Sequence, residues 1–237
     1  MKLLLLSNST MAGKPFLGWP KKYLKSFIGS TPKKLLFIPY AGVNVYWDGY
    51  AKKVGNYFED FGYETISIYK QNDFAEAIDE TDIIIVGGGN TFHLVYHLQQ
   101  NGLIPLIRKA VLDGKPYIGW SAGANVACST LSTTNDMPII QPESFDTLKL
   151  VPFQINPHYL DANPDGHGGE TREDRINEFL EINHDRTVIG LREGSGLLVE
   201  DDKIQLIGDK TARFFQYGKE AEELDQNKMK HEFIIEH

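Results

Sequence analysis

The run Ile118-Gly119-Trp120-Ser121-Ala122-Gly123 sets the terms for the rest of the chain. An apolar segment, residues 117–120, ends at a serine with glycine two positions to either side, and small residues follow. This is the G-x-S-x-G pattern of a nucleophile elbow, in which a sharp strand-to-helix turn lifts the serine hydroxyl off the sheet edge. Only small neighbours let the chain double back so tightly. The turn leaves backbone N–H groups at the start of the new helix, aimed at any anion that forms beside Ser121. The pattern is short, and in a chain with 22 glycines it needs support from its surroundings.

Taken in order, the chain supplies that support. Lys2–Leu6 is a continuous apolar run that stops at Ser-Asn-Ser-Thr, the mark of a strand buried on both faces. Residues 11–20 are a Gly/Pro-punctuated loop, and 19–28 carry a helix. After Pro32, residues 35–38 form a second strand ended by Pro39. A helix over 45–61 closes at Gly62, where a left-handed position suits glycine. Residues 64–69 alternate as a third strand, and Asp73-Phe-Ala-Glu76 opens a brief helix with a capping-box pattern. Ile83-Ile84-Ile85-Val86 is β-branched throughout and reads as the firmest strand. It is followed by Gly87-Gly88-Gly89-Asn90-Thr91 and a helix over 91–98. A helix over 103–112 accepts Pro105 in its first turn, and after Gly114 the chain enters the elbow strand.

Strands and helices that alternate with short connections make a parallel sheet covered on both faces. The expected fold is therefore α/β, three-layered and mostly parallel, with a nucleophile elbow. Such sheets bind ligands at the carboxyl ends of their strands, where both the triple-glycine turn and Ser121 fall.

The second half is less regular. Residues 133–150 are turn-rich, and 151–156 form a strand near an edge because Pro152 interrupts it. Residues 163–169 are loop. Thr171-Arg-Glu-Asp174 opens a helix whose apolar stripe is Ile176, Phe179, Leu180 and Ile182. Short strands are expected at 187–191, 196–199, 203–207 and 211–215, several of them antiparallel across a turn at Asp201-Asp202. The tail from Gly218 is read as solvated, with Phe233-Ile234-Ile235 able to dock. With no repeat and no linker, one domain over 1–237 is expected.

Composition limits the partners. The chain of 237 residues has a formal net charge of −8, which disfavours nucleic acid and anionic membranes. An anionic substrate then needs a local basic group. The single cysteine, Cys128, excludes an internal disulfide and fits a reducing compartment. It reads as a buried apolar residue after the elbow. No run reaches about 18 apolar residues, and the four N-terminal leucines are too few for a signal peptide. A cytoplasmic protein without cofactor or metal is expected, its oligomeric state left open between monomer and dimer.

A serine attacks a carbonyl only if a base takes its proton, and histidine suits that task. His93 and His97 share a helix face at a spacing that can hold a metal, but no carboxylate motif accompanies them. His184, His231 and His237 lie in hydrophilic stretches, and His167 sits in a glycine-rich loop that can line a site. His158 follows Gln154-Ile155-Asn156-Pro157 at the end of an expected strand, where a parallel-sheet enzyme places a base. The base needs an acceptor to hold its tautomer. Asp136, Asp161, Asp165 and Glu193 all qualify, and the residues alone do not choose among them.

Several long, ordered strings point further: LLLLSNST at the start, FIPYAGV at 37–43, IIIVGGGNTFHL at 83–94, IGWSAGANVAC at 118–128, STTNDMPI at 132–139, QINPHY at 154–159, HGGETREDRI at 167–176 and VIGLREG at 188–194. Through them the chain resembles the α-aspartyl dipeptidase family, also called peptidase E, along nearly its whole length. The resemblance implies a class I glutamine amidotransferase-like, flavodoxin-like fold with serine in place of cysteine. It also implies serine-type hydrolysis of dipeptides with an N-terminal aspartate. It puts the nucleophile on Ser121, the base on His158 and the third member on Glu193. The family's aspartate in the TTND string falls on Asp136, a rival for the orienting role and part of the site's architecture. Oxyanion donors fall on the backbone N–H groups of Gly89 or a neighbouring glycine and of Ala122, with Gly88 and Asn90 in the same turn beside the substrate. For the substrate's aspartate carboxylate, Arg172 in HGGETRED is the expected cation. The competing readings are a hydrolase of the same fold acting on aspartyl-arginine polymers or isoaspartyl peptides, and a non-catalytic binding protein whose glycine turns cradle phosphate.

Overall fold

In the computed structural model, residues 1–31, 33–166, 168–201 and 203–226 are described. His167, Asp202, His231, His237 and the 233–235 run, all singled out above, lie outside them, as does Pro32.

The first half of the chain winds as its patterning dictates. β1 (Lys2–Leu6) leads to α1 (Lys21–Ile28), β2 (Lys34–Ile38), α2 (Trp47–Glu59), β3 (Glu64–Ser67), a 3-10 turn at Ile68–Lys70, α3 (Phe74–Asp79), β4 (Ile83–Val86), α4 (Thr91–Gln100), α5 (Leu103–Leu112), β5 (Tyr117–Trp120) and the short α6 (Ala122–Asn125). After a long stretch without regular elements come β6 (Gln154–Pro157), α7 (Arg172–Ile182), β7 (Thr187–Leu191), β8 (Ser195–Glu200), β9 (Lys203–Gly208), β10 (Ala212–Gln216) and β11 (Glu222–Leu224).

Seven strands form the main sheet in the order β3-β2-β4-β5-β1-β8-β9. The first five run parallel, while β8 and β9 close one edge antiparallel. Alternate side chains feed two cores, as the period of two demands. Leu3, Leu5, Leu36, Ile38, Ile84 and Val86 face one side, with α4 and α5 against them. Leu4, Leu6, Leu35, Phe37, Ile83, Ile85, Ile118 and Trp120 face the other, covered by α1 and α2. Both faces of the central strands are thus buried, which is why their sequences are unbroken apolar runs. The expected three-layer, mostly parallel α/β arrangement is the one the chain adopts.

Caps account for the helix starts. Asp73 accepts the Glu76 N–H at α3, Asn90 accepts the His93 N–H at α4, and Thr171 forms a full capping box with Asp174 at α7. The hairpin of β8 and β9 turns at Asp201, which takes φ 53°.

Three expectations are corrected. The strand at 151–156 is β6, shifted to Gln154–Pro157 so that Pro152 stays outside it. It is an edge strand, but of a second sheet ordered β11-β10-β7-β6. The tail beyond Gly218 is not simply solvated, because β11 pairs with β10 and buries Leu224. In α7, Ile176 and Leu180 are buried whereas Ile182 is 85% exposed. Six residues at about 100° each carry Ile182 well round the helix from Ile176, out of the stripe.

Candidate active site

The elbow has the geometry its glycines permit. β5 delivers Ser121 at φ 54° and ψ −115°, outside the ordinary regions for a side-chain-bearing residue, and α6 begins at the next residue. The strain, of order 1–3 kcal/mol, is held by the Ser121 N–H on the Leu6 carbonyl and by the Ala124 and Asn125 N–H groups on the Ser121 carbonyl. A Cβ on Gly119 would lie 2.2 Å from the Gly123 carbonyl oxygen, and one on Gly123 would lie 2.1 Å from the Val86 oxygen. Neither site has room for a side chain.

His158 stands at the end of β6, also with positive φ, 54°. Its Nε2 is 2.9 Å from Ser121 Oγ and its Nδ1 is 2.7 Å from Glu193 Oε1. A carboxylate only accepts, so Nδ1 carries the hydrogen and Nε2 presents its lone pair to the serine O–H. The imidazole and the carboxylate are 40% and 47% exposed, open to an incoming molecule. Of the four carboxylates that qualified from sequence, the structure brings Glu193 to the histidine. Asp161 is taken up bidentately by Arg192, at 2.8 and 2.5 Å. Asp136 is engaged elsewhere: its Oδ2 accepts the Thr91 N–H at 2.7 Å, the Thr91 hydroxyl at 2.6 Å and the Thr134 hydroxyl at 3.0 Å. It caps the start of α4 and does not orient His158.

The triple-glycine turn lies against the elbow. A Cβ on Gly88 would sit 2.8 Å from Ser121 Cβ, and one on Gly89, which takes φ 141°, would sit 2.1 Å from the Ala41 oxygen. The Gly88 N–H is spent on the Tyr50 hydroxyl at 3.0 Å, so Gly88 gives the site room, not a donor. The Asn90 side chain is also committed: it accepts the His93 N–H and donates to the Met137 carbonyl at 2.8 Å. The Gly89 and Ala122 N–H groups meet no acceptor among the described residues; Ala122 follows Ser121 directly, and Gly89 follows Gly88, which packs on Ser121.

Arg172 begins α7, half buried. The acidic neighbours that would neutralise it are occupied: Glu173 binds Arg213 at 3.3 Å, and Asp174 closes the Thr171 cap. Among the described residues Arg172 has no ion pair.

Three supports were not foreseen. Ser7, fully buried after β1, accepts the His158 N–H at 2.9 Å and donates to the Leu191 carbonyl at 2.8 Å. Asn8 accepts the N–H of Gly194, the residue after Glu193, at 3.0 Å. Tyr50 accepts from both Gly88 and Trp120 Nε1, tying turn to elbow strand; burial pushes its phenol up to about 12. Polar residues ending a buried strand were the available signal for Ser7 and Asn8, but nothing in Tyr50's surroundings marks it.

The remaining reactive groups stay out of this site. Cys128 is buried, accepts the Ile155 N–H at 3.1 Å, and burial pushes its thiol well up. His93 and His97 bond each other at 3.2 Å, with His93 Nδ1 on the Tyr40 carbonyl. Burial first, and then the His93 neighbour, lowers the His97 pKa. No third metal-binding side chain joins them among the described residues. A cavity of about 730 Å³ between α2 and β3 contains none of the expected residues, whereas one of about 580 Å³ reaches Gly88 and Gly89. No helix among the described residues is long and apolar enough to cross a membrane.

A family model described as peptidase family S51 matches residues 3–207. A Nostoc sp. protein named peptidase E is 50% identical over 222 residues, covering 94% of this chain and 92% of its own. A Salmonella typhimurium protein of the same name is 45% identical over 225 residues, 95% of this chain and 98% of its own. Among solved structures, a peptidase from an acI-B1 Actinobacterium superposes with a TM-score of 0.71 at 21% identity, covering 99% of this chain and 96% of that one, a likeness of fold.

Proposed function

Because the chain belongs to peptidase family S51 and is a serine peptidase, we propose that it hydrolyses dipeptides with an N-terminal L-aspartate through an acyl-enzyme. The observation that carries this reading is the line from Glu193 through His158 to Ser121, with contacts of 2.7 and 2.9 Å. In the proposed mechanism His158 takes the Ser121 proton as the hydroxyl oxygen attacks the Asp-X carbonyl carbon. The developing oxyanion lies against the Gly89 and Ala122 N–H groups, each such donor being worth about 3 kcal/mol in the transition state. His158 then passes its proton to the departing amine, and the C–N bond breaks to leave an aspartyl ester on Ser121. Water, deprotonated by His158, attacks that ester and releases aspartate. Glu193 keeps the imidazole in the tautomer that both halves need. Arg172, unpaired among the described residues, is the cation for the aspartate side chain, which an acidic chain would otherwise repel.

Ser121→Ala tests the nucleophile. The variant folds as the parent does by circular dichroism and loses turnover of α-Asp-X; retained turnover sinks the assignment. A panel of α-Asp-X, β-Asp-X and N-blocked Asp-X separates this substrate class from the isoaspartyl and polymer-directed alternatives. Cleavage confined to the β-linked peptides would reverse it. A covalent adduct at Ser121 with a serine-directed reagent is the outcome a non-catalytic binding protein does not give.

A further inference from the structure

The cavity of about 580 Å³ lies between the loop after β2 and the glycine turn after β4. From β2 the chain runs outward to β3, while from β4 it runs the opposite way to β5. The cavity thus sits at the carboxyl ends of neighbouring strands whose connections diverge, where open α/β sheets leave a crevice for ligands. Its walls have two characters. Val43, Val45 and Ile139 line it while 47%, 54% and 53% exposed, an apolar surface bordering the glycine turn. Tyr50 and Lys53 line it from α2, three residues apart and so on one face of the helix.

Lys53 is the only cation, and there is no carboxylate, among the described lining residues. Its ammonium stands 4.2 Å from the centroid of the Phe16 ring and has no ion pair among the described residues. The Tyr50 oxygen already accepts two hydrogen bonds, from Gly88 N–H and Trp120 Nε1–H. Its own hydrogen meets no acceptor among the described residues, so it remains a donor. A lysine and a tyrosine whose O–H is unspent line one cavity, and in a chain of net charge −8 they are provision for an anion.

We infer that this cavity receives the amino acid that leaves in the reaction, with Lys53 and the Tyr50 O–H holding its free α-carboxylate and the aliphatic wall taking its side chain. The inference rests on the Asp-X dipeptidase reading above. In a dipeptide the terminal carboxylate lies one residue beyond the bond cut, within about 4 Å of the attacked carbon, so an anion site has to border the oxyanion turn. A solvent-exposed lysine is screened by water, so its contribution is selection of a charged C-terminus more than overall affinity.

Binding is measured on Ser121→Ala protein, so that the ligand survives, with aspartyl-leucine and aspartyl-leucine amide as probes. The carboxylate form is expected to bind about tenfold tighter; Lys53→Met removes the difference, and Lys53→Arg restores most of it. Equal affinity for the two probes, or an equal loss of both in Lys53→Met, overturns the inference. Turnover by the protein with Ser121 intact separates the two readings. If the probes bind with the Lys53-dependent difference but are not cleaved, the subsite stands and the hydrolase reading falls. If they are cleaved and the difference is absent, the hydrolase stands and the subsite falls.

Discussion

Ser121 and His158 touch each other, and each holds a positive φ that a side-chain-bearing residue avoids. Strain of about 1–3 kcal/mol at each persists because rigid neighbours fix both backbones: the Leu6 carbonyl on one side, the Ser7 hydroxyl on the other. The two partners of the neighbouring carboxylates make a sharper distinction. Glu193→Gln keeps the shape but puts an amide where Nδ1–H needs a full acceptor. It is expected to lower kcat about 10²–10⁴-fold with KM little changed. Asp136→Asn, by contrast, disturbs a cap on α4 and is expected to lower Tm, with a loss of stability of about 1–2 kcal/mol, while kcat falls less than in Glu193→Gln. Parallel kinetics and thermal melts on the two variants check this, and a larger kcat loss for Asp136→Asn reverses the roles. Sequence offered both carboxylates because both qualify chemically: Glu193 follows a buried run, and Asp136 lies in the TTND string that carries the family resemblance. Only the fold shows that one reaches Nδ1 and the other reaches Thr91. Ser7 was legible as a polar stop after a buried strand, but its partner lies 151 positions away, a separation that local patterning does not encode.

Elements whose identity is set by local physics were read well. β1, β4 and β5 fall on the runs the sequence marks, because a strand buried on both faces has a continuous apolar signature. The helix start at Thr171 was equally legible, and the structure adds that Thr171 and Asp174, three residues apart, close it with a capping box. The pairing of the second sheet was not legible: β7 falls on its expected run and β10 within one residue of it, but the sheet joins segments distant in sequence. The start of α7 shows how an element can arm a side chain. With Glu173 drawn to Arg213 and Asp174 folded back on Thr171, Arg172 is left without an ion pair among the described residues, which suits it to the role proposed for it. Arg172→Ala is expected to raise KM for Asp-X about 10–100-fold, the worth of a charge-assisted bond, while turnover of a weak substrate with a neutral first residue changes little. Equal losses on both substrates assign Arg172 a structural role. Measuring kcat and KM on the two substrates decides it.

At the scale of the whole molecule, the proposed catalytic line crosses from one sheet to the other. Ser121 ends a strand of the main sheet, His158 follows a strand of the second, and Glu193 lies between β7 and β8, where the chain passes between them. Glu193 therefore depends on how that passage is held, and Arg192, its neighbour, ties the passage to the second sheet. Its guanidinium binds Asp161 bidentately and Glu223 at 2.6 Å, joining the loop after β6 to β11. The hydrogen bond from Arg192 holds the Asp161 carboxyl below its ordinary value. Burial pulls the Glu223 carboxyl up, but the bonds from Arg192 and Thr211 outweigh it and the net shift is downward. Carboxyls with depressed folded pKa values add stability that is present above their unfolded values, about 3.9 for aspartate and 4.3 for glutamate. That stability is lost as pH falls through the folded values. Arg192→Met is therefore expected to lower Tm most at neutral pH, where it takes the shared guanidinium from two ionised carboxylates and leaves Glu223 only its pair with Arg213. The gap to the parent should narrow steadily as pH drops below about 4 and the unfolded carboxyls protonate. The same variant should lose kcat at neutral pH through a displaced Glu193. Thermal melts and turnover from pH 3 to 8 test both halves, and a Tm gap independent of pH would show that Arg192 acts by packing alone.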